Sequence, residues 1–239
     1  MNYNMEHLIN GCKELGIFLT DTQIRQFIKF YEYLIEKNKV MNLTAITDFD
    51  EVVSKHFIDS ISCVKALDLS KIHTIIDIGT GAGFPGIPVK IIYPDKKMLL
   101  LDSLNKRVTF LNEVIDLLEL EKIQTLHSRA EDAAQNPDYR ERFDLVLSRA
   151  VSNLSVLSEY CLPFVKPGGF FVSYKSNSID KEISNAENAL KILGGKIVNQ
   201  IAFTLPETDI NRILVCIKKT KPTPKKYPRK AGTALKEPL

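Results

Sequence analysis

The sequence predicts an α/β fold, a Rossmann-like, doubly wound mixed sheet of seven strands with a helical N-terminal extension. Three observations carry the prediction. From Thr74 onward, short β-branched runs alternate with stretches of helical spacing, the pattern of parallel strands joined by crossover helices. The first run, Thr74 to Ile78, breaks into Gly79, Gly81, Gly83 and Gly86, and clustered glycines after a strand form a turn that a ligand can approach closely. Ahead of residue 70 the spacing is helical and no strand is evident.

The first 70 residues read as a helical cap on the sheet. Thr20 or Asp21 caps a helix whose inner side carries Ile24, Phe27, Ile28, Tyr31, Leu34 and Ile35. Asn38 to Thr47 lacks that period and reads as a loop. Asp48 then caps a second helix with Val52, Val53, His56, Phe57, Ser60, Ile61 and Val64 inward. Residues 71–218 form the sheet domain. Its strands are expected at Thr74–Ile78, Lys97–Asp102, Ile123–His127, Phe143–Ser148, Gly169–Tyr174, Lys196–Phe203 and Arg212–Ile217. Helices fill the gaps at Ile87–Tyr93, Lys106–Leu118, just after Glu131, Ser152–Cys161 and Lys181–Leu193, the last closed by Gly194-Gly195. Thr204 to Asn211 is too short and polar for a helix, so the final two strands form a hairpin and the last runs antiparallel. Residues 219–239 form a basic C-terminal arm, whose prolines exclude helix and central strand across Lys221 to Lys230.

Composition narrows the class. With 44% apolar and 26% charged residues, the 239-residue chain reads as one soluble domain with an appended piece. No apolar run reaches the ~18–20 residues of a membrane helix, and the N-terminus lacks a signal-peptide pattern, so the expected compartment is the cytoplasm. Cys12, Cys63, Cys161 and Cys216 are scattered without histidine partners, which argues for buried thiols and against a metal site. Charge is unevenly spread: Lys218 to Leu239 carries +7 out of a chain total of +3, leaving the first 217 residues at −4. A basic tail on an acidic body suits a polyanionic partner held by a flexible arm.

The chemistry gathers at strand ends. Gly81-Ala82-Gly83-Phe84-Pro85-Gly86 is formally G-x-G-x-x-G, which raises a nicotinamide or flavin cofactor. Asp77 ahead of the glycines gives D-x-G-x-G-x-G, the pattern of class I S-adenosylmethionine-dependent methyltransferases. Pro85 and Pro88 remove backbone donors at a helix entrance where a pyrophosphate needs them. Asp102, ending the second strand, suits the ribose hydroxyls of either ligand. After the third strand, Glu131 can accept the adenine amino proton and Ala130 leaves room beside it. Ser148-Arg149-Ala150 ends the fourth strand, where a methyl acceptor is presented, without the N/D-P-P-Y/F of exocyclic-amine enzymes and without a nucleophilic cysteine. An acceptor with its own lone pair, such as guanine N7, needs only in-line placement and exclusion of water.

Together these blocks resemble the RsmG (GidB) family. The resemblance rests on I-D-I-G-T-G-A-G-F-P-G-I-P from Ile75 to Pro88, with L-L-D-S-L-N-K-R, S-R-A-E-D and S-R-A following in order. N-L-T-A-I at Asn42–Ile46, K-H-F-I-D-S at Lys55–Ser60 and the ending R-K-A-G-T-A-L-K-E-P-L complete it, so it spans nearly the whole chain. Ala234 departs from the family's usual proline. The resemblance implies methyl transfer from S-adenosylmethionine to N7 of one guanosine in the 530 loop of 16S ribosomal RNA. It implies cofactor contacts from Gly79, Phe84, Ala130, Glu131 and Arg149, with Asp102 near the ribose and Gly81 in the same turn. The implied partner is 16S RNA, as the small ribosomal subunit or its assembly intermediate, and the working unit a monomer.

Other residues have a structural and a functional reading. His56, on an apolar helical face, is expected to be a hydrogen-bonded core histidine, with Asp59 as a cap or its partner. Lys175, after the fifth strand, and Arg229 and Lys230, in the matching tail block, are candidate RNA contacts; Tyr174 and Phe84 could stack on a base or belong to the core. Arg149 is the candidate for shaping the acceptor site, no catalytic base is assigned, and no metal is expected. Two alternatives remain: an NAD-dependent oxidoreductase built on the glycine turn, and a non-catalytic RNA-binding assembly factor built on the arm.

Overall fold

The computed structural model describes residues 3–149, 152–176 and 179–239. Its strands are β1 (Thr74–Ile78), β2 (Lys97–Asp102), β3 (Ile123–His127), β4 (Phe143–Arg149), β5 (Val165–Lys175), β6 (Gly195–Thr204) and β7 (Asn211–Lys219). They form one sheet in the order β3-β2-β1-β4-β5-β7-β6, parallel from β3 to β5, with β7 antiparallel to both neighbours. The chain winds outward from β1 through β2 and β3, then returns to its other side at β4. That reversal opens a crevice at the C-terminal ends of β1 and β4, where open α/β sheets bind ligands.

Alternation along the strands supplies two cores. Ile75, Leu100, Leu145, Leu147, Val172 and Leu214 face one side, while Ile76, Leu99, Leu101, Val146, Phe171 and Val215 face the other. Strands this apolar on both faces need helices over both. On the first side lie α1 (Glu6–Glu14), α2 (Asp21–Met41), α3 (Phe49–Val52), α4 (Asp59–Ile61), α5 (Gly86–Ile92) and α6 (Asn105–Leu117). The second side carries α7 (Ala130–Ala133), α8 (Leu154–Cys161) and α9 (Asp180–Leu193).

The N-terminal helices form as expected, with one local difference. Thr20 caps α2 reciprocally: its hydroxyl accepts from Gln23 N at 3.3 Å and its N–H reaches Gln23 Oε1 at 2.9 Å. Such a box stabilises a helix start by about 1 kcal/mol. Phe30, absent from the expected inner side, is buried against Phe57 and Phe84. Asp48 caps α3, but the helix then widens into a π-helical turn, Val53–Ile58, before α4. Widening shifts the inward face, so Ile58 and Asp59 are buried along with Phe57 and Ile61. The turn also brings Lys55, His56 and Asp59 to the crevice.

The C-terminal residues depart from the expected flexible arm. β7 continues to Lys219, two residues past the predicted strand, and Lys219 is fully buried with Nζ donating to the Leu162 carbonyl at 2.6 Å and Glu141 Oε1 3.2 Å away. Arg140 holds the segment beyond it by donating to the carbonyls of Thr223, Pro224 and Tyr227. Tyr227 enters the second core, and α10 (Thr233–Lys236) packs on α8 through buried Ala234. The sequence reading missed this docking because the partners, Glu141, Arg140 and Glu159, are remote in sequence. Lys218, Lys221, Lys225, Lys226, Lys230 and Lys236 remain exposed.

Candidate functional site

The glycine turn is held by two carboxylates. Asp77 is fully buried in β1, and its Oδ2 accepts from the Thr80 hydroxyl at 2.6 Å and Gly86 N at 2.8 Å. Asp102, at the end of β2, accepts from Gly81 N at 2.9 Å through Oδ2 and from Leu104 N at 2.9 Å through Oδ1, with Arg107 at 3.4 Å. Gly79 donates to the Leu101 carbonyl at 2.9 Å. Gly79 and Gly81 have φ of +69° and +61°, a region that costs other residues about 1–2 kcal/mol. A side chain on Gly81 would project into open space, with nothing within 4 Å of its Cβ.

This arrangement discriminates between the two cofactors. A pyrophosphate needs free N–H groups at a helix N-terminus. Here Gly86 N is given to Asp77, Ile87 N to the Gly83 carbonyl at 2.7 Å, and Pro88 has none. With those donors already taken or missing, the helix entrance has little to offer a pyrophosphate, which disfavours NAD. The residues fit S-adenosylmethionine better. Asp77 Oδ1 is buried without a hydrogen-bond partner, Gly81 leaves an open cradle, and Asp102 stands at the neighbouring strand end. Burial raises the Asp77 carboxyl to about 7 against the lowering pull of its hydrogen bonds to Thr80 and Gly86 and of the Arg149 charge.

Ala130 and Glu131 begin α7 beyond β3, both buried. Glu131 is engaged: its Oε1 accepts from Gly232 N at 2.9 Å, so the tail reaches the start of α7.

A cleft of about 360 Å³ lies at the ends of β4 and β5, with Lys55, Asp59, Arg149, Tyr174, Lys175 and Arg212 among its lining, and is the candidate acceptor site. Arg149 donates to Asp59 Oδ2 at 2.8 Å and to the Lys55 carbonyl at 2.9 Å. Arg212 donates to Asp59 Oδ1 at 2.9 Å, so one buried carboxylate serves two guanidinium groups. Asp59 therefore pairs with arginines, and not with His56. Ala150, the last residue of the expected Ser148-Arg149-Ala150 block, lies outside the described residues.

His56 lies between the two halves. Its ring stacks on Phe84 with centroids 4.5 Å apart, and Nε2 is 2.8 Å from the Thr44 hydroxyl. Arg149 stands 3.3 Å from Nδ1 and can only donate, so Nδ1 accepts and Nε2–H points to Thr44. The Lys55 carbonyl, 3.2 Å from Nδ1, is already taken by Arg149. Burial, reinforced by the Arg149 charge, lowers His56 to about 3, so the ring is neutral at physiological pH. Phe84 is itself buried, with the Arg149 guanidinium 5.3 Å from its ring centre. Tyr174 is core too, its hydroxyl donating to the Ser60 carbonyl at 2.7 Å.

The three candidate RNA residues separate. Lys175 faces the acceptor cleft, held by Glu182 Oε1 at 2.5 Å and the Ser152 carbonyl at 3.0 Å. Arg229 lies on the α8 side, in a bidentate pair with buried Glu159 whose shortest contact is 2.6 Å. Lys230, next to it, is exposed. Sequence reasoning missed Arg212, although a usable signal was present. An antiparallel final strand begins at the edge where the parallel strands end, and Arg212 is its second residue. Among the described residues no group of three or more His, Cys, Asp or Glu could hold a metal, and no helix is long and apolar enough to cross a membrane.

Comparison with known proteins agrees with this geometry. A putative O-methyltransferase from Klebsiella pneumoniae superposes with a TM-score of 0.52 at 13% identity, over 87% of this chain and 94% of that one. At that identity the likeness speaks for the class I methyltransferase fold alone. Ribosomal RNA small subunit methyltransferase G of Lachnoclostridium phytofermentans is 54% identical over 97% of this chain and 96% of its own length. The protein of the same description from Acetivibrio thermocellus is 53% identical, over 97% and 95%. The family model GidB, rRNA small subunit methyltransferase G, matches residues 23–211, and the chain belongs to that family.

Proposed function

We propose that the protein transfers the methyl group of S-adenosylmethionine to N7 of a guanosine in the 530 loop of 16S ribosomal RNA. The observation that carries this reading is the disarmed chemistry of the acceptor cleft. His56 is neutral with its basic nitrogen occupied by Arg149, and Asp59 is claimed by two arginines. Lys175 is ion-paired with Glu182 and Lys55 with Glu51. None of these groups is placed to take a proton from the acceptor, and guanine N7 has none to give up.

The cofactor supplies an electrophilic methyl group on a sulfonium, and the protein supplies position. Asp102 holds the glycine turn open through Gly81 N, and Glu131 stands at the adenine side. Arg149 braces the wall between cofactor and acceptor through Asp59 and the Lys55 carbonyl. The shared Asp59 leaves the Arg149–Arg212 cluster with an excess positive charge, which suits an RNA phosphate beside the target base. Extruding that base costs a few kcal/mol, which these contacts must offset. The reading includes a monomer acting on ribosomal RNA in the cytoplasm.

The test is methyl-labelled S-adenosylmethionine with 16S RNA, or small subunits, that lack the modification. Digestion should yield label only as 7-methylguanosine from the 530 loop. Label on another atom, or on another RNA, would overturn the assignment.

A further inference from the structure

The tail and the cofactor side of the crevice share a hydrogen bond. Glu131 is nearly buried at the start of α7, and Gly232 N donates to its Oε1 at 2.9 Å across 101 residues of sequence. Gly232 adopts φ of +82° and caps α10, which turns its N–H away from the helix it begins. Among the described residues Glu131 Oε2 receives no hydrogen bond, so one oxygen of the carboxylate is fixed and the other is left for a ligand.

What holds Gly232 in place is Arg229. Its backbone N–H and its guanidinium both donate to Glu159, N to Oε1 at 2.8 Å and Nη2 to Oε2 at 2.6 Å. Glu159 is only 1% exposed, so its charge depends on that partner. The same guanidinium donates to the Glu237 carbonyl at 2.8 Å, closing the segment into a loop. Upstream, Gln135 donates to the Pro228 carbonyl at 2.8 Å. Gly232 is thus pinned between the Arg229 staple and the buried Ala234 of α10.

We propose that Arg229 is a positioning residue of the cofactor site: it staples the C-terminal segment so that Gly232 N–H fixes the Glu131 carboxylate for recognition of the adenine amino group. The inference rests on the assignment of Glu131 to the adenine side. A carboxylate accepts from an amino group and repels a carbonyl, so its correct placement gives discrimination between adenine and hypoxanthine. A basic residue in a basic tail thereby serves the cofactor and not the RNA.

The test is calorimetric titration of the full chain with S-adenosylhomocysteine and with S-inosylhomocysteine, which bears a carbonyl oxygen in place of the amino group. Wild type should prefer the adenosine form by about tenfold or more, the worth of a hydrogen bond to a charged group. Arg229→Ala should lose most of that preference by weakening the adenosine form while leaving the inosine form within about twofold. Because Arg229→Ala strands the Glu159 charge, the double variant Arg229→Ala/Glu159→Gln is measured alongside and should behave the same way. Lys225→Ala/Lys226→Ala, in the same segment but unconnected to Glu131, should keep the wild-type preference. Retained preference in the double variant, or equal loss of both ligands, would overturn the proposal. A wild type that binds S-adenosylhomocysteine without preferring it would instead remove the Glu131 assignment beneath it.

Discussion

Arg149 at the end of β4 and Asp59 in the N-terminal layer are joined by a 2.8 Å ion pair, and both side chains are largely buried. The bond ties the first 70 residues to the C-terminal end of β4. With Arg212 on the second oxygen, Asp59→Ala leaves two guanidinium groups without their shared carboxylate. Breaking a buried pair of this kind costs roughly 3–5 kcal/mol. Urea denaturation should show a loss of that order, and a value under about 1 kcal/mol would place the cluster among surface pairs.

Arg212→Ala should separate RNA from cofactor. Asp59 keeps Arg149 as a partner, so the fold is retained, while the cleft loses its excess positive charge. Methylation of 16S RNA should fall by about tenfold or more in kcat/KM, the order of one charge-assisted contact. Calorimetry should find S-adenosylmethionine affinity within about twofold of wild type, because Arg212 is not among the contacts of the glycine turn.

Gly81→Ala should act in the reverse sense. Its φ of +61° strains any side chain by about 1 kcal/mol, visible as a small shift in the unfolding midpoint. The new Cβ meets no protein atom and projects into the cradle, so cofactor affinity should fall by ~10-fold or more. RNA binding without cofactor should be unchanged. Loss of RNA affinity in this variant would favour a purely RNA-binding role for the whole crevice.

Asp77 and His56 should give opposing pH dependences. Burial raises the Asp77 carboxyl to about 7, so between about 4 and 7 the native state holds a proton that the unfolded chain releases, and this group's contribution to stability falls as pH rises. Burial lowers His56 to about 3, so below about 6.5 the unfolded chain takes up a proton that the native state refuses, and stability falls as pH drops. Over the shared window the two offset each other. Relative to wild type, Asp77→Asn should lose stability more steeply on acidification and His56→Gln less steeply, read from urea midpoints at several pH values.

The exposed lysines of the tail should set the salt dependence of RNA binding. Lys219 and Arg229 are already neutralised by Glu141 and Glu159. Replacing Lys225, Lys226 and Lys230 by alanine should reduce the slope of log K against log salt by up to ~2, at ~0.7 per lost phosphate contact on a single strand. An unchanged slope would move the RNA footprint to the cleft.

The strands were legible because each carries its own local signal: β-branched runs, the glycine break after Ile78, and the short polar turn between β6 and β7. The glycine turn and the two carboxylates that hold it were legible for the same reason, since Asp77, Gly81 and Asp102 lie at predictable strand ends. The cleft at the ends of β4 and β5 was legible only in Arg149 and Lys175. Arg149, Asp59 and Arg212 are assembled from three remote segments, and a π-helical turn sets the inward face that buries Asp59. Charge counting misread the tail for a related reason: the carboxylates that dock it, Glu131, Glu141 and Glu159, are isolated acids whose partners only the fold identifies.

The reach from Asp59 to Arg212 spans 153 residues of sequence, and it places the last brick of the acceptor cleft near the end of synthesis. A ribosome adding ~5–20 residues per second has both the helical layer and the glycine turn outside its exit tunnel well before Arg212 emerges. During those seconds the nascent chain can form the glycine turn, but it has neither the Arg212 wall of the cleft nor the Gly232 contact to Glu131. Both halves of the crevice therefore close late: β7 brings Arg212 to Asp59, and Gly232 reaches Glu131 only after that.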